Sequence, residues 1–392
     1  MQVAEQARIA RPRPLAPALC ITAVSLFWLS LYLYVPVLPV QARDLGADVG
    51  GIGLVLAAYG FVQFLLRIPT GLWTDRLGRR QPFLVASLIA AAVAAAGMAA
   101  APAPLQLGLF RGVSGLAACG WVAITLLMAE LMPAAGLAGA LAVAGFVSRA
   151  AQLAGTFAGG AIAQLGGLRA PFWAAAVVAV CGVAVALAVR EPTQPPAARS
   201  PTFRERLAVG ADRRVLAASG LSLGAQIISF VTAYGFLPLV AATRFHAGGL
   251  DLGILAVASG LPAALTALAA ARLQRRFSAW SLSAASFAVA AIGTAAVPFV
   301  GSLGALEIAA VALGAGLGLN APLLMTEAVR GCEPARRGTA MGFYQSIYSI
   351  GMFGGPALAG AVGARWGVPA LFEATAVVAV VAALLSRPLL AA

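Results

Sequence analysis

The sequence of 392 residues predicts an all-α polytopic membrane protein with twelve transmembrane helices in two pseudo-symmetric six-helix bundles. Three observations carry this prediction. Hydrophobic residues make up 61% of the chain and charged ones 10%. Apolar runs of about 20 residues, enough to cross a bilayer, recur from end to end, and three patterns repeat at a nearly constant offset between the halves. A soluble chain of this length would need far more charge to cover its surface. Hydrocarbon cannot satisfy backbone N–H and C=O groups, so the runs are helices; the alternation expected of a lipid-facing barrel strand is absent.

Breaks at charges, prolines and glycine pairs place the spans at 17–40, 50–70, 82–101, 105–130, 138–162, 170–190, 215–240, 250–271, 279–299, 303–326, 338–362 and 367–387. The first run carries Pro36 and Pro39, is too long for the apolar region of a signal peptide, and meets no small-residue cleavage site before the second span. It is read as a retained helix. The stretch 191–214, with Pro192, Pro195, Pro196 and Pro201 among mixed charges, is the longest polar segment. It predicts a cytoplasmic linker between an N-terminal bundle, 1–190, and a C-terminal bundle, 215–392.

Every basic residue is arginine, and the distribution sets the orientation. With a cytoplasmic N-terminus, nineteen arginines fall inside, among them Arg76, Arg79, Arg80, Arg272, Arg275, Arg276, Arg330 and Arg337, and only Arg43, Arg169, Arg244 and Arg365 fall outside. The positive-inside rule then puts both termini in the cytoplasm of a cell (inner or plasma) membrane protein. The net charge of +13 reads as a topology signal beside anionic headgroups. A nucleic-acid footprint is the poorer reading, because no compact basic domain exists.

The repeat is explicit. Asp48 to Gly60 aligns with Ala247 to Gly260, matching Gly53 to Gly253 and Gly60 to Gly260. Arg76-Leu-Gly-Arg-Arg80 aligns with Arg272-Leu-Gln-Arg-Arg276, and Leu126-Leu-Met-Ala-Glu130 with Leu323-Leu-Met-Thr-Glu327; the offsets lie between 196 and 200. Three matches in order indicate a six-plus-six duplication.

On these residues the chain resembles the major facilitator superfamily over essentially its whole length. Gly71-x-x-x-Asp75-Arg76-x-Gly78-Arg79-Arg80, between spans 2 and 3, looks like that family's signature loop. Arg111-x-x-x-Gly115 in span 4 resembles a second motif. Gly155-Thr156-x-x-Gly159-Gly160 in span 5 resembles the glycine motif of the family's antiporters, with Thr156 where proline is usual. Span 11 carries a counterpart, Gly351-x-x-x-Gly355-Pro356-x-x-x-Gly360. The resemblance implies alternating access, with Asp75 latching the cytoplasmic side against the N-terminus of span 11; Ala271 in the second loop makes the latch one-sided. Glycines four apart let helices approach closely, so spans 5 and 11 read either as seams where the halves rock or as ordinary tight packing. Arg76 or Arg79 could pair with Glu130, and Arg272 or Arg275 with Glu327; solvated loops are the alternative.

Ionisable groups inside a bilayer are costly and default to functional candidates. Here they are Arg67, Arg111, Arg149, Glu307 and Glu373. Arg67 is expected to snorkel to the cytoplasmic face. Arg111 and Glu307 fall at similar depth and could pair, or Glu307 or Glu373 could carry a proton. Arg149, with Gln152 one turn on, could bind an anionic or polar group or bond the carbonyls of a broken helix. The neutral cavity candidates are Ser25, Trp28, Tyr32, Gln226, Ser229 and Tyr234 in spans 1 and 7, and Asn320, Tyr344, Gln345 and Tyr348 in spans 10 and 11. Aromatics with a few amides suit an amphipathic ligand better than a sugar. Tyr32 and Tyr34 also fit an interfacial belt.

No metal site or cofactor is predicted: Cys20, Cys119, Cys181 and Cys332 are isolated, and His246 stands alone. The chain has no lysine and no phosphate-binding loop, so ATP is not the direct energy source by that route. The leading expectation is therefore a secondary transporter, not an enzyme, that exports a small amphipathic or hydrophobic compound coupled to protons. Its partners are a small-molecule substrate, protons and the lipid bilayer, and it is expected to act as a monomer. The alternatives are a proton symporter or uniporter for a small organic anion or metabolite and, from another class, a lipid scramblase or membrane-embedded enzyme. An enzyme should carry a clustered nucleophile, acid pair or metal motif, which the sequence lacks.

Overall fold

A computed structural model describes residues 15–77, 79–132, 136–191, 212–333 and 337–391. Within these ranges the side chains of 68, 71, 72, 75, 76, 136–138, 337 and 338 lie outside the description. So do Gly78, nearly all of the expected linker, and the latch and ion-pair roles expected of Asp75 and Arg76. All regular structure among the described residues is helical. Among the described residues eleven spans are long and apolar enough to cross a membrane, and the shorter apolar helix Ala16–Tyr32 opens the first pass.

Three passes are broken where the sequence was read as continuous. In the first, α1 (Ala16–Tyr32) gives way to α2 (Leu38–Asp44). Between them Pro36 cannot donate to the helical ladder, and turns bridge the gap, with the Val35 N–H donating to the Tyr32 carbonyl at 3.3 Å. The second and third passes are α3 (Val49–Leu77) and α4 (Gln81–Ala100). The expected signature loop is thus mostly the last two turns of α3. The fourth pass kinks at Gly120 between α5 (Pro104–Cys119) and α6 (Trp121–Leu131), and is followed by α7 (Gly136–Gly166) and α8 (Ala170–Ala188).

The second half repeats the plan. Its first pass, α9 (Arg213–Val231), passes through a π-helical turn at Thr232–Phe236 into α10 (Leu237–Arg244). Pro238, in the first turn of α10, removes an N–H there, and Thr232 Oγ1 donates to the Ile228 carbonyl. The break therefore falls where α1 breaks in the first half. Then come α11 (Gly249–Leu273), α12 (Ala279–Ala296), α13 (Leu303–Val329), α14 (Arg337–Trp366) and α15 (Val368–Leu390).

The two ends of the bundle differ in how the halves meet. At the arginine-poor end one apolar core draws on both, including Tyr34, Leu107 and Phe172 from the first and Phe236, Leu306 and Phe372 from the second. Toward the arginine-rich end each half has its own core, built around Phe27, Leu84 and Met128 in one and around Leu221, Phe287 and Tyr344 in the other. Among the described residues, burial of large apolar clusters thus ties the halves together at the arginine-poor end. A small cluster of Tyr59, Ala118, Phe230 and Met352 bridges them between the ends.

Candidate functional site

Where the halves meet, helices touch backbone to backbone. A Cβ built on Gly160 of α7 would lie 2.5 Å from the Gly253 Cα of α11, and one built on Gly53 of α3 would lie 2.8 Å from the Gly360 Cα of α14. The repeat-related pair Gly53 and Gly253 therefore occupies the two seams. Most of the expected glycine motif lies elsewhere. Gly155 and Gly159 pack on α1 at Leu29 and Leu33, and Gly351 and Gly355 pack on α9 at Leu223 and Ile227, each within its own half. Only Gly160, Gly360 and the Pro356 carbonyl, which faces Gly53, lie between the halves. The spacing of four puts successive glycines on one face, and in each motif most of that face looks inward to its own bundle.

Between the seams lies a narrow cleft, with room in this state for about one water molecule, lined by Leu31, Tyr32, Val35, Tyr59, Arg111, Phe230 and Tyr234. Rings from both halves meet across it: Tyr32 and Tyr234 are edge to face at 5.8 Å, and Tyr59 and Phe230 are parallel within 17° at 6.0 Å. Tyr32 stands on α1 and Tyr59 on α3; Phe230 lies in the last turn of α9 and Tyr234 on the π-helical turn. Trp28 and Trp121 extend the row behind Tyr32, with centroids 5.9 Å and 5.0 Å apart along it. The Trp28 indole N–H, buried, has no partner. Tyr32 therefore faces the pocket and Tyr34 is fully buried, stacked on Phe172 at 5.2 Å, so neither belongs to an interfacial belt. Helix breaks beside both residues turn these rings inward.

Arg111 is 5% exposed. Its guanidinium sits 4.3 Å from the Tyr59 ring centroid, and Nη1 donates to Ser114 Oγ at 3.3 Å and to the Tyr34 hydroxyl at 3.5 Å. A methyl at Gly115 would collide with the Tyr59 carbonyl, so that glycine lets α5 approach α3 closely enough to lay the arginine over the ring. Arg67 is 7% exposed and does not snorkel: Nη1 donates to the Tyr348 hydroxyl of α14 at 3.4 Å, and the guanidinium lies 5.6 Å from that ring. The Nε of both arginines is buried without a partner. Among the described residues neither arginine forms an ion pair, and no carboxylate lines the pocket.

The other candidates are dispersed. Arg111 does not pair with Glu307, which is half-buried in the second turn of α13, because the Tyr34, Ser114 and Tyr59 side chains enclose it. Glu373 is exposed on α15 and is not among the residues that line the pocket. Arg149 is exposed, close enough to the pocket residue Tyr32 to act on it electrostatically, and donates to Gln152 Oε1 at 3.5 Å; among the described residues it bonds no backbone carbonyl. Gln226 packs beside Gly351, and Asn320 is fully buried with both amide atoms unpartnered. Gln345 is half-buried with its Oε1 unpartnered.

At the arginine-rich end, Glu130 pairs with Arg80, whereas Arg79 is exposed and Arg76 lies outside the described side chains. Glu327 pairs with Arg330 one turn on at 3.2 Å, in place of Arg272 or Arg275. The Glu191 carboxylate accepts the Arg80 N–H at 2.6 Å and the Gln81 N–H at 3.0 Å, capping the N-terminus of α4 from the end of the sixth pass. Ser278 caps the equivalent helix α12 locally.

Sequence reasoning missed Tyr59, Phe230, Leu31 and Val35. The signal available for the rings was spacing: Trp28 and Tyr32, Phe230 and Tyr234, and Tyr344 and Tyr348 stand four residues apart and so share a helical face.

Comparison with known proteins agrees with this architecture. The model of the Major Facilitator Superfamily matches residues 20–232 and again 220–391. The inner membrane transport protein YajR of Escherichia coli K12 is 29% identical over 167 residues, 42% of this chain and 36% of that protein. The class C tetracycline resistance protein of Escherichia coli is 32% identical over 158 residues, 40% of this chain and 39% of that protein. The chain thus matches well under half the length of these relatives. Among solved structures, the nucleoside transporter NupG superposes with a TM-score of 0.76 at 15% identity, covering 96% of this chain and 99% of that one. A bacterial homologue of the human lysosomal transporter Spinster superposes at 0.75 and 18% identity, covering 95% of each chain. At such identities the likeness is one of fold.

Proposed function

The chain belongs to the major facilitator superfamily and is a multi-pass membrane protein, and we propose that it is a transporter that exports a small amphipathic compound by alternating access, coupled to protons. The observation that carries this reading is the aromatic pocket at the junction of two halves that share a large core at the arginine-poor end. Rocking about the glycine seams would open the sealed end and close the other. The arginine distribution makes the sealed end the outer one, so the present state faces the cytoplasm, with both termini there, in the cell membrane. The partial likeness to tetracycline resistance proteins supports export. The Asp75 latch on the cytoplasmic side, the bundle boundaries at 190 and 215, and action as a monomer belong to the same reading.

In the coupled form Glu307 is the proton site, because its side chain is half-buried where that of Glu373 is exposed. A second reading, uniport, is favoured by the absence of any carboxylate from the pocket lining, since substrate and proton then have no shared site among the described residues. Purified protein in liposomes holding an internal pH dye, under an imposed proton gradient, separates the two when screened against lipophilic cations, neutral drugs and organic anions. Proton movement opposite to flux of one compound class supports coupled export; flux with no proton movement supports uniport. No flux of any class contradicts transport of amphipathic compounds.

A further inference from the structure

We propose that the pocket takes a planar aromatic anion, its acid group on Arg111 and its ring between Tyr59 and Phe230; this rests on the transport reading above and names its substrate class. Arg111 and Arg67 are both more than nine-tenths buried, both reach toward the region where the halves meet, and neither has a carboxylate partner among the described residues. A buried cation with only hydroxyl and ring contacts is incompletely compensated, and each guanidinium keeps an unpartnered Nε. Guanidinium groups present forked donors that match a carboxylate edge. An anionic ligand would supply the missing charge.

The rings fix the shape of the rest of the ligand. Tyr59 and Phe230 come from opposite halves and face each other nearly parallel at 6.0 Å. Sandwiching a flat ring between them takes about 7 Å, twice a carbon contact distance of about 3.5 Å. Rocking of the halves that brings the two ring planes to that separation would admit an aromatic ring and exclude a saturated one of greater thickness. Arg111 lines the same pocket as the two rings, so an acid group on a ligand ring held there lies within reach of the guanidinium. Because one wall belongs to each half, occupancy would bear directly on the rocking motion.

Binding to the purified, full-length protein by isothermal titration tests this with 1-naphthoate, 1-naphthamide, cyclohexanecarboxylate and 1-naphthylmethylammonium. The inference expects 1-naphthoate to bind at least about tenfold more tightly than each of the others, roughly one decade per 1.4 kcal/mol. Equal affinity for the amide or the ammonium, or no binding of any of the four, overturns it. Phe230→Leu should bring the naphthoate-to-cyclohexanecarboxylate ratio toward unity while the acid is still preferred to the amide, and Arg111→Gln should erase the preference for the acid. A variant that keeps both ratios also overturns the assignment, and near-parental melting of each variant shows that it is folded. Flux of neutral or cationic compounds without naphthoate binding would leave the transport reading standing and remove this one; naphthoate binding without flux would do the reverse.

Discussion

Gly160 and Gly253 meet with no room for a side chain: a Cβ on the first would lie 2.5 Å from the Cα of the second. The pair joins α7 of one half to α11 of the other, and Gly53 with Gly360 repeats the arrangement on the opposite side. Tight contacts between small residues are how helices associate where no hydrophobic force separates protein from lipid. Smooth backbone seams also let one bundle turn against the other without unlocking interdigitated side chains.

Replacing Gly253 with valine should therefore slow transport by about tenfold or more, since overpacking of this kind costs about 1–3 kcal/mol. Gly155→Ala, which loads a contact inside one half at Leu29 and Tyr32, should instead lower thermal stability with a smaller effect on rate. Liposome flux and melting of the same two variants check the distinction; equal effects on both properties would contradict it.

Glu191 caps α4 across a sequence separation of 111 residues, and Arg80 carries both that cap and the Glu130 ion pair. Glu191→Ala should cost about 1 kcal/mol, the ordinary worth of a helix cap, read as a fall in melting temperature. Ser278→Ala at the equivalent α12 should cost a similar amount.

Arg67 and Tyr348 link the halves on the α3 to α14 side. Tyr348→Phe removes the hydroxyl acceptor and keeps the ring beneath the guanidinium. A hydrogen bond worth about 1 kcal/mol then shifts the equilibrium away from this state by about fivefold, measurable as increased labelling of a cysteine placed at the sealed end.

The Asp75 latch is tested by Asp75→Asn. It should leave the protein folded and inserted while slowing flux severely; parental flux in that variant would rule the latch out.

Much of this architecture was legible in the sequence because lipid imposes long apolar helices and because the duplication preserved Gly53 with Gly253 and Glu130 with Glu327. What was not legible depended on helix rotation and on partners far away in the chain. The glycines of α7 and α14 were identifiable, but not which face each presented. Arg67 reads as a snorkelling residue until Tyr348 is brought beside it, and Glu191 reads as linker until the start of α4 is. The breaks at Val35 and at the π-helical turn, which bring Tyr32 and Tyr234 together, were visible only as prolines.

Alternating access about these seams is the central claim, and paired distances test it most directly. Spin labels at Arg43→Cys and Arg244→Cys report the arginine-poor end, and at Arg79→Cys and Arg276→Cys the arginine-rich end, in a background in which Cys20, Cys119, Cys181 and Cys332 are replaced. In liposomes, with and without 1-naphthoate, the account predicts two populations in which one distance shortens as the other lengthens. One unchanging distribution at both ends would contradict it.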